Sequence, residues 1–278
     1  MDSLISGSIA GIVADVATHP LGTVKTRLQV QGASASSLTR YGGVAQGLTR
    51  ILTKEGVGAL YKGVGVVVAT AAPAQGLFFL GNDTAREALR PHLPAAAASF
   101  AAGCVAQLCG SLCWVPMDTV KERLQVEGQL KRGSKAELGG SWNAVRTILR
   151  REGLRGFYPA YWVHQATWAP FNGLFFAIYE ACKVDLHPLL SGVIAGVAAG
   201  FLTNPMDLVK TRLQVMRADP STFAYAGAFD CIGQILRREG PLAFLDGAIA
   251  RCATVAPRLT ICVLVKDAIA PGVKEVLG

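Results

Sequence analysis

Charge is scarce in this chain. Asp, Glu, Lys and Arg make up 17% of its 278 residues against 51% hydrophobic ones, and the mean hydropathy is +0.37. A soluble domain of this size needs more polar surface, so an ordinary soluble fold is excluded. Paired cysteine spacing is also missing: the seven cysteines include no Cys-x-x-Cys. Cys104, Cys109 and Cys113 share one apolar run, where cysteine acts as a small hydrophobe, which argues against a metal or redox centre. No phosphate-cradling glycine loop, metal-ligand spacing or nucleophile–base motif occurs, so the chain is read as no enzyme, with no catalytic residue, metal or cofactor. A cleavable targeting peptide is not expected, because Asp2 follows Met1 and an apolar run opens at Leu4. The net charge of +8 does not gather with aromatics on one stretch, as nucleic-acid binding would require. Basic residues sit instead at the ends of apolar segments, the pattern of a membrane protein beside anionic lipid.

What the chain does have is a threefold repeat. One pattern reads Pro20-Leu-Gly-Thr-Val-Lys25-Thr-Arg27-Leu-Gln29, then Pro116-Met-Asp118-Thr-Val-Lys121-Glu-Arg123-Leu-Gln125, then Pro205-Met-Asp207-Leu-Val-Lys210-Thr-Arg212-Leu-Gln214. The prolines lie 96 and 89 residues apart. A second marker recurs as Glu55-Gly56, Glu152-Gly153 and Glu239-Gly240, each after a basic amphipathic stretch. A third is Pro73, Pro170 and Pro257, each followed ten residues later by Asp83, Glu180 or Asp267. The order predicts an all-α membrane protein with six transmembrane helices in three pseudo-symmetric repeats, 1–92, 93–185 and 186–278, each with a short amphipathic helix. Apolar stretches near 4–24, 64–80, 93–117, 161–182, 189–209 and 248–270 are mostly close to the ~20 residues that span a bilayer. Gly7 and Gly11, and Gly192, Gly196 and Gly200, have the four-residue spacing that allows close helix approach in lipid.

An acid three residues before a lysine, at a proline kink and near membrane depth, is costly unless paired. Three such copies around an axis can pair acid to base between repeats and close one end of a central cavity. Solvated helix ends are the plainer alternative. The triplicated Pro-x-acid-x-x-base-x-base-x-Gln, followed by Glu-Gly and an aromatic, is similar to the signature of the mitochondrial carrier family over nearly the whole chain. The resemblance implies a mitochondrial inner-membrane, multi-pass solute carrier with alternating access, with peroxisomes and plastids left open. It implies a small-molecule metabolite as partner, antiport, a monomer, and membrane lipid such as cardiolipin at short matrix-side amphipathic helices.

By the same resemblance, Asp207–Lys25 and Asp118–Lys210 form matrix-side pairs braced by Gln29, Gln125 and Gln214. Gly22 stands where the first repeat should carry its acid, which leaves Lys121 without a partner and implies easier opening on that side. The cytoplasmic pairs would be Asp83–Lys183 and Asp267–Arg86, with Glu180 lacking a mate because Ala270 replaces the third base. Tyr61-Lys62-Gly63 matches the third box of the family, whereas Tyr158-Pro159-Ala160 and Leu245-Asp246-Gly247 are degenerate.

Helical periodicity selects a cavity face on the even helices: positions six and three before the proline and one after it. The middle layer is Thr70, Thr167 and Thr254. The layer toward the matrix is Val67, His164 and Arg251, and the layer toward the cytosol is Ala74, Phe171 and Arg258. In the family, the middle level with the next residue along (Ala71, Trp168, Val255) holds the main substrate contacts. A further position five residues before the signature proline gives Asp15, Ser111 and Gly200, and Gln107 and Asn204 add polar candidates. Ionisable groups inside a membrane helix point to function, which singles out Asp15, His164, Arg251 and Arg258. Asp15 pairing with Arg251 is one alternative, and His164 as a packing residue is another. His19 is expected to pack or cap, and Trp168 offers a face for a cation or planar base. One acid and two arginines around neutral hydroxyls suit an amino-acid-like or zwitterionic solute. A carboxylate, a nucleotide-type cofactor, a metal ion or a non-transporting scaffold stay open.

Overall fold

The computed structural model describes residues 2–33, 38–130, 138–218 and 223–277, and nearly all of them are helical. The first repeat contains α1 (Asp2–Val30), α2 (Val44–Glu55), α3 (Val57–Leu60) and α4 (Val64–Leu89). The second contains α5 (Ala95–Val126), α6 (Ser141–Glu152) and α7 (Tyr161–Cys182). The third contains α8 (Pro188–Leu202), α9 (Asn204–Val215), α10 (Ala228–Arg238) and α11 (Ala248–Leu277). Six membrane crossings result: α1, α4, α5, α7, the pair α8–α9, and α11. They form an all-α membrane protein of three pseudo-symmetric repeats.

The distribution of polarity is that of a protein solvated by lipid. Phe100, Trp162 and Ile249 are 76%, 75% and 77% exposed, while the side chains of Arg27 and Arg212 have no exposure at all. By length and apolarity, Val57–Leu89, Phe100–Gln129 and Pro241–Lys266 qualify as spans, as does α8 with α9 across a bend of 64°. The other two crossings, α1 and α7, carry Asp15, Thr18 and His19, and His164, Gln165 and Thr167. These lower their mean apolarity, and most of them point inward. Pro20 and Pro116 lie inside continuous helices, whereas Pro205 follows the break between α8 and α9.

The recurring Glu-Gly marker has a backbone cause. Gly56, Gly153 and Gly240 have φ of +84°, +66° and +86°, a region that costs a side chain strain, and each ends its short helix. Each short helix packs its apolar face on the second half of the odd helix of its own repeat. Val24 and Leu28 meet Ile51, Leu124 meets Ala144 and Ile148, and Leu208 and Leu213 meet Cys231 and Ile235. Val30, Val126 and Val215, each one residue beyond a signature glutamine, join in a further cluster that ties the repeats together at this end. Burial pushes the Cys231 thiol up to about 12, so it is an inert packing group.

The glycine spacing reads differently in the two places it occurs. A side chain at Gly196 would collide with Leu259 and Val255 at 2.6 and 2.8 Å, so α8 does press closely on α11. Gly7 and Gly11 have nothing within 4 Å and line the interior cavity instead. A close approach with no sequence spacing to announce it occurs at Gly81, where a Cβ would lie 2.8 Å from the Cys109 sulfur of α5.

Each signature arginine makes the same connection. Arg27 is held bidentately by Glu55 and donates from Nε to the Gln125 carbonyl at 2.8 Å. Arg123 binds Glu152 at 2.5 and 3.1 Å and the Gln214 carbonyl at 3.0 Å. Arg212 binds Glu239 and the Gln29 carbonyl, the latter at 3.0 Å. Every repeat thus grips the backbone of the next. Removing one acid strands a buried guanidinium, a loss of roughly 3–5 kcal/mol. Glu239→Ala is therefore expected to lower the melting temperature of the purified protein well beyond the effect of a surface control such as Glu87→Ala; equal effects would contradict the linkage.

Candidate functional site

A cavity of about 630 Å³ runs down the bundle axis, lined by α1, α4, α5, α7 and α11. Its floor, at the end of the short helices, is made of paired charges. Lys25 Nζ lies 2.5 Å from Asp207, and Lys210 Nζ lies 2.5 Å from Asp118. Lys121, for which Gly22 offers no acid, turns to Asp118 of its own helix at 2.6 Å. Asp118 therefore serves two lysines. The side chains of Lys210 and Asp118 are 4% and 8% exposed, so this contact lies out of water.

The glutamines beneath differ in what they hold. Gln29 donates to Asp207 at 2.9 Å and accepts from Thr211 at 2.9 Å. Gln125 accepts from Thr26 at 2.8 Å and turns its amide nitrogen to His19 at 3.4 Å. Gln214, with its amide nitrogen facing the carboxylate, donates to Glu122 at 2.6 and 3.3 Å. His19 also approaches the Lys62 carbonyl at 3.0 Å and stacks on Tyr61, so it packs at the kink.

Higher in the cavity, Asp15 and Arg258 pair at 2.5 Å and stay 30% and 44% exposed. Opposite in character is a run of aromatics on α7: His164 against Trp168, Trp168 edge-on to Phe171, Phe171 stacked on Phe175. His164 is buried 3.7 Å from Asp118, and neither of its ring nitrogens has a hydrogen-bond partner among the described residues. The Trp168 indole N–H is likewise unpartnered.

Not every candidate reaches the cavity. Asp15, His164, Trp168, Thr254 and Arg258 line it, but Thr70, Thr167 and Arg251 do not. The threonines spend their hydroxyls on carbonyls one turn back: Thr70 on Val66, Thr167 on Val163 and Thr254 on Ala250, at 2.7–2.8 Å. On α4 and α7 the lining stripe passes through Val67 and Ala71, and through His164, Trp168 and Phe171. It therefore crosses two residues before the proline, not three, a period of 3.6 rounded to the other neighbour. Arg251 lies behind the wall, over the Phe171 ring at 5.6 Å and 3.7 Å from Asp207, and so joins the floor. Asp15 takes Arg258, not Arg251, as its partner. Ser111 is buried on the Gln107 carbonyl, Gly200 faces Arg251, and Asn204 bonds Gln29 and the Phe244 carbonyl; only Gln107 of the further candidates lines the cavity.

The other end is not closed by ion pairs among the described residues. The expected Asp83–Lys183 contact is absent: Asp83 is exposed and accepts only from Asn82, while Lys183 takes Glu180, three residues earlier on α7, at 2.5 Å. Arg86 is exposed, and the side chain of Asp267, its expected mate, lies outside the described residues. A reading from motif alone missed the roles of Arg27, Arg123, Arg212 and Glu122. Threefold recurrence marks the arginines, and the break in that recurrence marks Glu122 between Thr26 and Thr211.

A six-helix membrane bundle around a central cavity, shut at one end by charges contributed from different repeats, is the architecture of a membrane solute carrier. The family described as mitochondrial carrier protein matches residues 1–93, 94–188 and 185–275. Mitochondrial substrate carrier family protein E of Dictyostelium discoideum is 36% identical over 91% of this chain and 90% of its own length. The Arabidopsis thaliana protein named "Probable S-adenosylmethionine carrier 2, chloroplastic" is 33% identical over 88% of this chain and 67% of its own. The mitochondrial electrogenic aspartate/glutamate antiporter of Homo sapiens is 33% identical over 92% of this chain, which spans 38% of that longer protein. The chain belongs to the mitochondrial carrier family, a family of transporters, and is a multi-pass protein of the mitochondrial inner membrane.

Reversing one floor charge sets like charges against each other in a dry site. Lys25→Asp and Asp207→Lys should each depress the melting temperature, and the double reversal should recover much of the loss. A double variant no better than the sum of its parts would show that this pair contributes nothing.

Proposed function

We propose that the protein carries an amino-acid-like, zwitterionic solute by alternating access, in exchange for a second solute. The observation that carries this reading is the Asp15–Arg258 pair, part-exposed on the cavity wall and outside the floor network. A zwitterion can insert between the two, its ammonium to Asp15 and its carboxylate to Arg258, replacing one ion pair by two. Arginine suits the carboxylate because its planar fork bonds both oxygens. Aspartate, glutamate and S-adenosylmethionine, the solutes in the relatives' names, all bear an α-ammonium and an α-carboxylate.

The aromatic wall adds a second preference. Trp168, with its free N–H, and Phe171 favour a flat or cationic body on the solute. S-Adenosylmethionine, with its sulfonium and planar base, meets both walls, whereas aspartate meets only the first. His164 and Thr254 complete the contact set in this reading. Thr70, Thr167 and Arg251 act from behind, by shaping the wall.

In this scheme Lys25, Lys121 and Lys210 with Asp118 and Asp207, braced by Gln29, Gln125 and Gln214, form the matrix gate. Asp83, Arg86, Glu180, Lys183 and Asp267 form its cytoplasmic counterpart. A monomer with cardiolipin at the short helices belongs to the same reading. A scaffold that had given up transport would have no need of an open cavity above a closed gate.

A ligand that binds only the folded protein raises its melting temperature, by about 2.7 kcal/mol of stability at a hundredfold excess over Kd. S-Adenosylmethionine, aspartate, glutamate and uncharged-side-chain amino acids are compared with dicarboxylates and nucleotides. Stabilisation by zwitterions, lost in Asp15→Asn and Arg258→Gln, is the expected result. Stabilisation by dicarboxylates or nucleotides alone would sink the zwitterion reading and keep the carrier. Exchange is then tested by uptake into proteoliposomes, which should require the solute inside.

A further inference from the structure

The ion-pair network at the floor of the cavity contains three lysines of the signature, Lys25, Lys121 and Lys210, but only two of the signature acids, Asp118 and Asp207, because Gly22 carries none. Arg251 adds a further positive charge 3.7 Å from Asp207. An excess of buried positive charge in this setting is expensive, and a structure that tolerates it needs a compensating acid. One is present. Glu122 lies one residue beyond Lys121, is 2% exposed, and places Oε1 3.7 Å from Lys210 Nζ.

The neighbours of Glu122 show what it has replaced. Thr26 of the first repeat donates to Gln125 of the second, and Thr211 of the third donates to Gln29 of the first. Completing that cycle requires a residue of the second repeat against Gln214 of the third, and the residue there is Glu122. Its hydrogen bond runs the other way. The threonines donate to an amide oxygen, whereas Glu122 accepts from the Gln214 amide nitrogen. With Glu122 ionised, the third brace is also a third negative charge, and the three signature lysines face three carboxylates. Gln125, whose amide has no acid at position 22 to hold, turns to His19 instead.

We propose that Glu122 is the relocated third acid of the matrix gate: the carboxylate absent at position 22 has its substitute at position 122, where it holds Lys210 and leaves Asp118 free to serve Lys121 as well. Glu122 is a positioning residue, acting through Lys210. The inference rests on the gate reading above and is independent of the solute, so its test uses no solute.

The test relocates the charge. A Cβ at Gly22 meets nothing within 4 Å and Gly22 lines the cavity, so the backbone there admits a side chain. The full chain is purified in detergent as wild type, Glu122→Thr, Glu122→Gln, Gly22→Asp, and Gly22→Asp with Glu122→Thr. The last restores the pattern that the other repeats obey. Glu122→Thr and Glu122→Gln should each lower the melting temperature by about 5–10 °C, and Gly22→Asp should recover most of the loss in the Glu122→Thr background. In the wild-type background Gly22→Asp should give a smaller gain, because Glu122 already offsets part of the positive charge of Lys25, Lys121, Lys210 and Arg251.

Two results would overturn the proposal. Threonine tolerated at position 122 without Gly22→Asp would show that only the brace matters and that its charge does not. An effect of Gly22→Asp that is equal in both backgrounds would show that positions 22 and 122 are not coupled. If Glu122→Thr yields no folded protein, the comparison is made with Glu122→Gln and with Gly22→Asp combined with Glu122→Gln, and the same two criteria apply.

Discussion

Charged groups gathered at one end of a membrane bundle are stable only if each meets its opposite, and in this protein two of the pairs at the cavity floor cross between repeats. Asp207 of the third repeat takes Lys25 of the first, and Asp118 of the second takes Lys210 of the third. Neither repeat can satisfy these groups alone. The requirement to bury charge without stranding it therefore holds the odd helices together at the floor and shapes the cavity above. It also makes the closure reversible in principle, since water or a displaced partner can receive each charge as the helices part.

The cavity wall has a different character. It holds one ion pair, Asp15–Arg258, one unpartnered imidazole, one unpartnered indole N–H, and a ladder of rings along α7. The floor is dominated by ion pairs between repeats, whereas the wall combines one exposed ion pair with aromatic rings.

Much of this was legible in the sequence because repetition amplifies weak signals. A single Pro-x-Asp-x-x-Lys is an ordinary helix kink, but three copies at similar spacing locate the odd helices, the floor and its pairing rule. Asp15 and Arg258 could be singled out because charge inside a crossing is rare. Other features depended on fractions of a helical turn. Thr70 and Thr167 sit one residue from the lining stripe, and Arg251 is turned behind Phe171, differences of about 100° that periodicity counted in whole residues does not resolve. Asp83 and Lys183 do not meet in this conformation, and a sequence encodes both ends of a transport cycle at once. Glu122 escaped notice because attention went to where the pattern is kept, and its meaning lies in where the pattern is broken.

The arginine linkage has a mechanical consequence. Arg27, Arg123 and Arg212 each clasp a glutamate of their own repeat and a backbone carbonyl of the next, so the three form a closed circuit of bonds around the axis. A displacement of one odd helix pulls on its successor and returns to its origin after three steps. Such a ring behaves as an iris: its blades turn in concert or not at all, and a door hinged on one repeat would tear at least one of the bonds. Damage to a single blade would accordingly be felt as stiffness or slack around the whole aperture.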